Sequence, residues 1–176
     1  MRLMARHRGF TLIEILVVVV IIGVVAAGVL LSVSLTGRDN ELEKESNRLL
    51  TLLNYSREQA ELQTRDYGLL VQEDGYEFVA YDPRRGLWRS VFEDDALRAR
   101  KLPDGLDLKL IVEGRPVVLR RPSDAQDKTP QVMIFANGDL TSFEVTVERE
   151  GGVRSVTVAQ DDKGQVVAKP MVESKA

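Results

Sequence analysis

The N-terminal part of the chain contains one uninterrupted apolar run. Residues 15–31 are all apolar or small, and Glu14 is the only charged residue between positions 10 and 36. A helix rises about 1.5 Å per residue and the hydrocarbon core of a bilayer is about 30 Å thick, so roughly 20 residues are needed to cross it. The pattern therefore predicts a transmembrane helix over residues 10–36.

The pattern then changes to that of an amphipathic helix over residues 37–64, which continues the predicted span. Small and apolar residues recur at alternating steps of four and three, the spacing that places side chains on one face of a helix. This stripe consists of Leu42, Ser46, Leu49, Leu53, Ser56 and Ala60. The charged residues between them are predicted to form a solvated face, namely Glu41, Glu43, Lys44, Glu45, Arg48, Arg57, Glu58 and Glu61.

After Thr64 the apolar positions follow the shorter period of β-strands, interrupted by turn residues such as Asp74-Gly75 and Asn137-Gly138. We predict a β domain over 65–170 and a flexible tail over 171–176. The first three strands are expected to form a meander, and 131–136 and 143–149 to be consecutive strands joined through Asn137-Gly138. The predicted strands are 67–72, 76–81, 87–92, 106–113, 116–120, 131–136, 143–149, 153–160 and 166–168.

One sheet cannot cover the apolar positions of so many strands, so two antiparallel sheets are expected to pack on each other and on the amphipathic helix. The predicted fold class is therefore α+β. Trp88 and Phe135 are predicted to be core residues, because aromatic residues at alternating strand positions are mostly buried. The alternative interpretation is that they are exposed anchors for a secreted substrate.

The residues that precede the apolar run are basic and suggest how the chain is oriented and processed. Arg2, Arg6 and Arg8 fix that side as cytoplasmic under the positive-inside rule, which leaves the β domain in the periplasm of a two-membrane bacterium. An ordinary secretory signal is cut after its apolar region, and Ala27 could be read as such a site. The apolar run continues past it, so we favour a leader of residues 1–9 that is cut between Gly9 and Phe10.

Glu14 is the most informative single residue. A carboxylate within an apolar helix costs a few kcal/mol on insertion scales and usually has a partner. One interpretation is an interfacial side chain that reaches water, since Glu14 lies four residues from Phe10. The other is that Glu14 compensates the new amine at Phe10, in its own chain or a neighbouring one, and so sets the register of packed helices.

Composition argues against an enzyme. The chain has no cysteine, and its only histidine, His7, lies in the predicted leader. No phosphate-binding loop or hydrolase motif occurs, no acidic cluster has the spacing of a calcium loop, and we expect neither a metal nor a cofactor. The chain from Phe10 has 21 basic and 27 acidic residues and a net charge of −6. Its small basic clusters have acidic neighbours, so nucleic acid is not an expected partner.

The segment from Arg8 to Glu14, with the apolar run behind it, resembles the prepilin signature of the type IV pilin and pseudopilin family. The resemblance implies that a prepilin peptidase cuts after Gly9 and N-methylates Phe10, and that Glu14 serves recruitment and assembly. Residues 130–143, with Tyr67-Gly68-Leu69 and Asp74-Gly75-Tyr76, are similar to the minor pseudopilins of the general secretion pathway protein H (GspH) class. A pilin-like fold is implied.

This resemblance predicts a structural subunit near the tip of the type II secretion pseudopilus, which supports export of folded periplasmic proteins across the outer membrane. The implied partners are other major and minor pseudopilins, the prepilin peptidase, the inner-membrane assembly platform, and the membrane through one helix. The implied location is the inner membrane, single-pass, with a cytoplasmic N-terminus and a periplasmic C-terminal domain. The alternative is a minor type IV pilin whose β domain binds DNA or a surface.

Overall fold

A computed structural model describes residues 12–120, 128–170 and 172–173, with the side chains of these residues except 27–39, 150 and 173. Helix α1, Leu12–Gln63, opens the described chain and β structure follows. The chain divides into two compact units between Asn40 and Glu41. In the first unit the side chains of residues 12–26 are all exposed. No helix among the described residues is both long and apolar enough to cross a membrane.

In the second unit the predicted stripe of α1 is confirmed as the buried face of the helix. None of its six members is more than 1% exposed: Leu42, Ser46, Leu49, Leu53, Ser56 and Ala60. The two serines complete their hydrogen bonding within the helix, since Ser46 Oγ donates to the Leu42 carbonyl and Ser56 Oγ to the Leu53 carbonyl. Small, internally satisfied residues let the helix lie close to the sheets without leaving a polar group unpaired.

The β domain follows the predicted sequence of strands with differences at their ends. Two short strands, Arg100–Lys101 and Val172–Glu173, were not predicted. The strands are β1 (Tyr67–Gln72), β2 (Gly75–Asp82), β3 (Leu87–Ser90), β4 (Arg100–Lys101), β5 (Leu106–Val112), β6 (Arg115–Val117), β7 (Val132–Ile134), β8 (Phe143–Arg149), β9 (Arg154–Gln160), β10 (Val166–Ala168) and β11 (Val172–Glu173).

The expected two antiparallel sheets are present. The first has the order β3-β2-β1-β7, with β4 paired to β2, and contains the predicted meander. The second has the order β10-β9-β8-β5-β6, with β11 paired to β9. Strand β11 lies in the segment predicted as a flexible tail, and there the structure differs from the prediction because Val172 and Glu173 pair with Ser155 and Arg154.

The connection after β7 corrects the prediction that 131–136 and 143–149 are consecutive strands of one sheet. Strand β7 pairs with β1 in the first sheet, whereas β8 pairs with β5 and β9 in the second. The Asn137-Gly138 turn is present, and Gly138 has a φ of 84°. It is followed by only a single bridge from Ile134 to Leu140, after which the chain crosses to the other sheet.

The helix and both sheets share one hydrophobic core. It joins residues of α1 such as Leu49 and Leu53 with Phe78 of the first sheet and with Leu110 and Val158 of the second. Burying one such side chain contributes about 1.5–3 kcal/mol. The second half of α1 is therefore an integral layer of the domain, and the predicted α+β architecture is confirmed.

Phe135 is not a core residue, and this prediction was wrong. Its side chain is 39% exposed, whereas that of the preceding Ile134 is fully buried. Neighbouring residues of an extended chain point to opposite faces, so only one of the two can point inward. Trp88, the other predicted core aromatic, is half-buried and lies outside the hydrophobic core, so this prediction was wrong as well.

Candidate assembly site on the N-terminal helix

The predicted processing residues Gly9 and Phe10 lie outside the described residues, so the proposed cleavage remains a prediction. Glu14 lies in the first turn of α1 and its side chain is exposed. Among the described residues it has no hydrogen-bond or ion-pair partner. The predicted transmembrane segment 10–36 also includes residues outside the described set and remains a prediction.

Glu14 is surrounded by apolar side chains that are exposed as well. Its neighbours Ile13 and Ile15 are 69% and 51% exposed, and Leu12 is 85% exposed. A continuous exposed apolar surface on a helix marks a site of contact with lipid or with another protein. In such an environment an unpaired carboxylate is costly, which gives Glu14 a strong preference for a cationic partner.

In the second half of α1, Glu45 corrects the prediction of a fully solvated charged face. Its side chain is 2% exposed. Glu45 lies between Leu42 and Leu49 at steps of three and four, which places it beside the buried stripe. The Tyr76 hydroxyl of β2 donates to Glu45 Oε1 at 2.8 Å, and Arg48 Nη1 donates to Oε2. The buried carboxylate is therefore paired on both oxygens.

The environment of Tyr76 keeps its hydroxyl protonated. Burial raises the pKa of Tyr76 far above its ordinary value, and the Glu45 carboxylate raises it further through its charge and the hydrogen bond. Nearby Arg100 and Arg48 oppose this shift. A protonated tyrosine can donate to Glu45 throughout the physiological pH range, so this hydrogen bond between helix and sheet does not depend on pH there.

Three further polar contacts fix α1 to strand β8 and to two loops of the β domain. Glu41 Oε2 accepts a hydrogen bond from Arg149 Nη2 at 3.0 Å. The Tyr55 hydroxyl donates to Asp94 Oδ2 at 2.7 Å, and Arg57 Nη1 donates to the Gly164 carbonyl at 3.2 Å. Together with Glu45 these contacts extend along the whole second half of the helix. Helix and β domain within this unit must therefore move together.

Asp94 and Asp161, which each belong to an Asp-Asp pair of the sequence, have structural partners. Asp94 Oδ1 accepts from the Ala96 amide, while Asp161 Oδ1 accepts from the amides of Lys163 and Gln165. Both carboxylates thus stabilise local turns. In the described part of the chain no three acidic or histidine side chains come together as a possible metal site.

Sequence reasoning did not identify Tyr55, Tyr76 or Arg149 as residues that anchor the helix. Each contacts a partner 31 or more positions away along the chain. The only local signal is that Tyr55 and Glu45 lie at helical spacing beside the apolar stripe. Such a spacing shows which side chains face the domain, but not which distant residue they meet.

Two family profiles match the chain. The prokaryotic N-terminal methylation motif matches residues 4–30. The profile described as type II transport protein GspH matches residues 45–162, which is most of the chain. The two matched regions correspond to the predicted prepilin signature and to the helix-plus-β unit.

Comparison with individual proteins also shows similarity to components of type II secretion systems. The chain is 32% identical to type II secretion system protein H of Pseudomonas aeruginosa, over 84% of this chain and 87% of that one. It is also 32% identical to the protein of the same name from Aeromonas hydrophila, over 93% and 94% of the two chains. In fold it is similar to the minor pseudopilin EpsH of the Vibrio cholerae type 2 secretion system, with a TM-score of 0.64, 21% identity, and coverage of 77% of this chain and 99% of that one.

Proposed function

The chain belongs to the type II transport protein GspH family, and from this premise we propose that it is a minor pseudopilin, a structural subunit of the type II secretion pseudopilus. The main support for the proposal is that two family profiles match this chain in a defined order. A methylation motif over residues 4–30 precedes a GspH domain over 45–162. The family is a family of structural subunits, and we propose no catalytic activity for the chain.

We propose that residues 1–9 remain cytoplasmic after insertion while the β domain enters the periplasm. Cleavage between Gly9 and Phe10, with N-methylation of Phe10, leaves the apolar helix in place as an inner-membrane anchor. The proposed partners at this stage are the prepilin peptidase and the inner-membrane assembly platform.

Assembly then moves the apolar half of α1 from lipid into a bundle of pseudopilin helices. This exchange replaces lipid contacts with similar protein contacts, so apolar packing alone discriminates weakly between subunits. The exposed Glu14 carboxylate, unpaired among the described residues, supplies a directional interaction with a new amine at Phe10. We therefore propose Glu14 as the residue that controls incorporation.

The second unit supplies rigidity and lateral specificity. Because its helix is fixed by Glu41, Glu45, Tyr55 and Arg57, a displacement of α1 within the filament carries the β domain with it. This property suits a subunit near the tip of a filament that supports export of folded proteins across the outer membrane.

The substitution Glu14→Leu tests this proposal. We expect normal membrane insertion and cleavage but reduced incorporation into the pseudopilus, measured by co-purification with the other pseudopilins. Glu43→Leu is the matched control, since Glu43 is an exposed glutamate in the second half of the same helix. Incorporation of Glu14→Leu at the level of this control would contradict the proposed role.

A further inference from the structure

Three aromatic residues lie at one end of the first sheet, where α1 ends and β1 begins. Tyr81 of β2 pairs directly with Trp88 of β3. On the other side of β1, Tyr67 pairs with Ile134, so that Phe135 follows at the same end of the sheet. We call Trp88, Tyr81 and Phe135 the aromatic row.

The aromatic row lies on the face of the first sheet that points away from the core. Tyr67, Ala80 and Ile134 are core residues, and their side chains are almost fully buried. Because successive side chains alternate between faces, Tyr81 and Phe135, which follow Ala80 and Ile134, point outward. The rings of Tyr81 and Trp88 are half-buried and lie 5.3 Å apart, and Phe135 is 39% exposed.

The main chain beneath the aromatic row is held in place by Asp66. The Asp66 carbonyl accepts from the Tyr81 amide at 2.9 Å, and its carboxylate accepts from the Ala136 amide at 2.9 Å. Arg65 Nε donates to the Tyr81 carbonyl at 3.1 Å. A surface fixed in this way loses little conformational entropy when a partner binds.

The turn beside the aromatic row is basic. Arg84 and Arg85 are exposed in the turn between β2 and β3, and Arg89 follows in β3. Asp82 at the end of β2 accepts hydrogen bonds from the Arg84 main-chain amide and from Arg89 Nη1, and it forms an ion pair with Arg85 Nε. Although burial opposes the shift, these bonds lower the pKa of Asp82 and keep it ionised. The guanidinium groups of Arg85 and Arg89 thus pair with Asp82. Arg89 pairs with Ala80 and Leu87 pairs with Asp82, so both lie on the other face of the sheet from Tyr81 and Trp88. The exposed Arg84 and Arg85 are therefore the arginines beside the aromatic row.

We propose that this end of the first sheet is a docking surface for a neighbouring pseudopilin subunit that presents an apolar side chain within an acidic patch. The inference deepens the proposed function and rests on it. Exposed aromatic residues on a rigid surface with arginines beside them are the features of an interaction hot spot. The surface lies at the end of the second unit where α1 ends and β1 begins.

A nucleic-acid partner would share the negative charge, but the geometry favours a protein. Single-stranded nucleic acid stacks its bases on open ring faces, whereas the Tyr81 and Trp88 rings pack against each other.

Photocrosslinking in the native membrane tests the surface. The full-length chain carries p-benzoylphenylalanine in place of Phe135, in cells with a complete secretion system, and adducts are identified by mass spectrometry. We expect an adduct with another pseudopilin. The double variant Arg84→Glu/Arg85→Glu should lower its yield by roughly fivefold or more, because charges at an interface rim govern association.

Two controls use β6 of the second sheet and the residues that follow it. The double variant Arg115→Glu/Arg120→Glu changes the same number of exposed arginines and should leave the yield unchanged. The photoreactive residue at Val118, which is 87% exposed, should not give the same adduct.

The remaining outcomes overturn the inference. An adduct with a secreted protein, an adduct with nucleic acid, or no adduct while the unmodified chain co-purifies with the pseudopilus would each contradict this surface and leave the proposed function standing. An adduct insensitive to Arg84→Glu/Arg85→Glu would contradict the role of charge. Failure of the unmodified chain to co-purify would overturn the proposed function together with this inference.

Discussion

Glu45 and Tyr76 form the buried hydrogen bond that joins the helix to the first sheet at 2.8 Å. Removing one partner of such a pair leaves a buried group short of a hydrogen bond, which costs about 1–3 kcal/mol. We predict a loss of this size in the free energy of unfolding for Tyr76→Phe, measured by chemical denaturation. Tyr55→Phe is the control, since Tyr55 is only half-buried, and an equal loss in both variants would contradict the importance of burial.

The same residue predicts a response to alkaline pH. The folded-state pKa of Tyr76 is raised above its ordinary value of 10, so its contribution to stability is complete below pH 10. Above pH 10 the unfolded chain loses this proton more readily than the folded chain, and stability falls. The free energy of unfolding should therefore decline less steeply above pH 10 in Tyr76→Phe than in the unmodified chain. If the free energy of unfolding fell equally steeply with pH in both chains, the raised pKa of Tyr76 would be contradicted.

At the residue scale, sequence periodicity predicted which helix positions are buried but not their partners. The spacing of Leu42, Leu49 and Leu53 is a property of the local helix, and the burial of these residues is confirmed. Burial of Glu45 depends on Tyr76, which reaches it only after the sheet has formed. Phe135 was misassigned for a similar reason, since the alternation of faces is visible in the sequence but the choice of inward face is not.

At the element scale, Gly75 shows how closely two strands approach. A side-chain carbon at this position would collide with the main-chain carbonyl of Arg100 in β4. We predict that Gly75→Ala separates β4 from β2 and exposes the Leu102 amide, which donates to the Asp74 carbonyl at 2.9 Å. Hydrogen exchange of that amide is the measurement, and the expected result is a large loss of protection.

Gly164→Ala provides the matched control for this substitution. Gly164 has a φ of 74° but no atom within 4 Å of an added carbon, so the change introduces backbone strain of about 1–2 kcal/mol without a collision. Protection of the Leu102 amide should persist in this variant. If both variants lost the same protection of the Leu102 amide, general destabilisation would explain the loss, and the close approach of β4 to Gly75 would not.

Most strands could be predicted because alternation and turn residues are local signals. The bounds of β1, β8 and β10 agree with the prediction. The division of strands between sheets could not be predicted, since Asn137-Gly138 is a hairpin signal in sequence whereas β7 pairs with the distant β1. The two-residue strands β4 and β11 carry no periodicity and depend wholly on their partners.

At the scale of the whole molecule, the chain combines an apolar helical segment with a rigid helix-plus-β unit. The fold of the second unit was predictable from its pattern and is shared with the minor pseudopilin EpsH. The aromatic row with its arginines was not predictable, because its members come from three separate segments and meet only through strand register. Interaction surfaces of this kind are properties of tertiary structure.

Cleavage at the Gly9-Phe10 junction affects the whole molecule, because in our proposal it decides whether the chain can join a filament. We predict that Gly9→Leu blocks cleavage and yields a chain that retains residues 1–9, detected by its slower migration in a gel. Thr11→Ser, a conservative change beyond the junction, should be processed normally. A shortened product from Gly9→Leu would place the cut elsewhere.

The most direct test of the central claim is the intact mass of the protein purified from its native membrane. A pseudopilin is expected to begin at N-methylated Phe10, and the mass reports both the cut and the methyl group in one measurement. A chain that begins at Met1, or one cut after Ala27, would contradict the account and indicate an anchored or secreted protein instead.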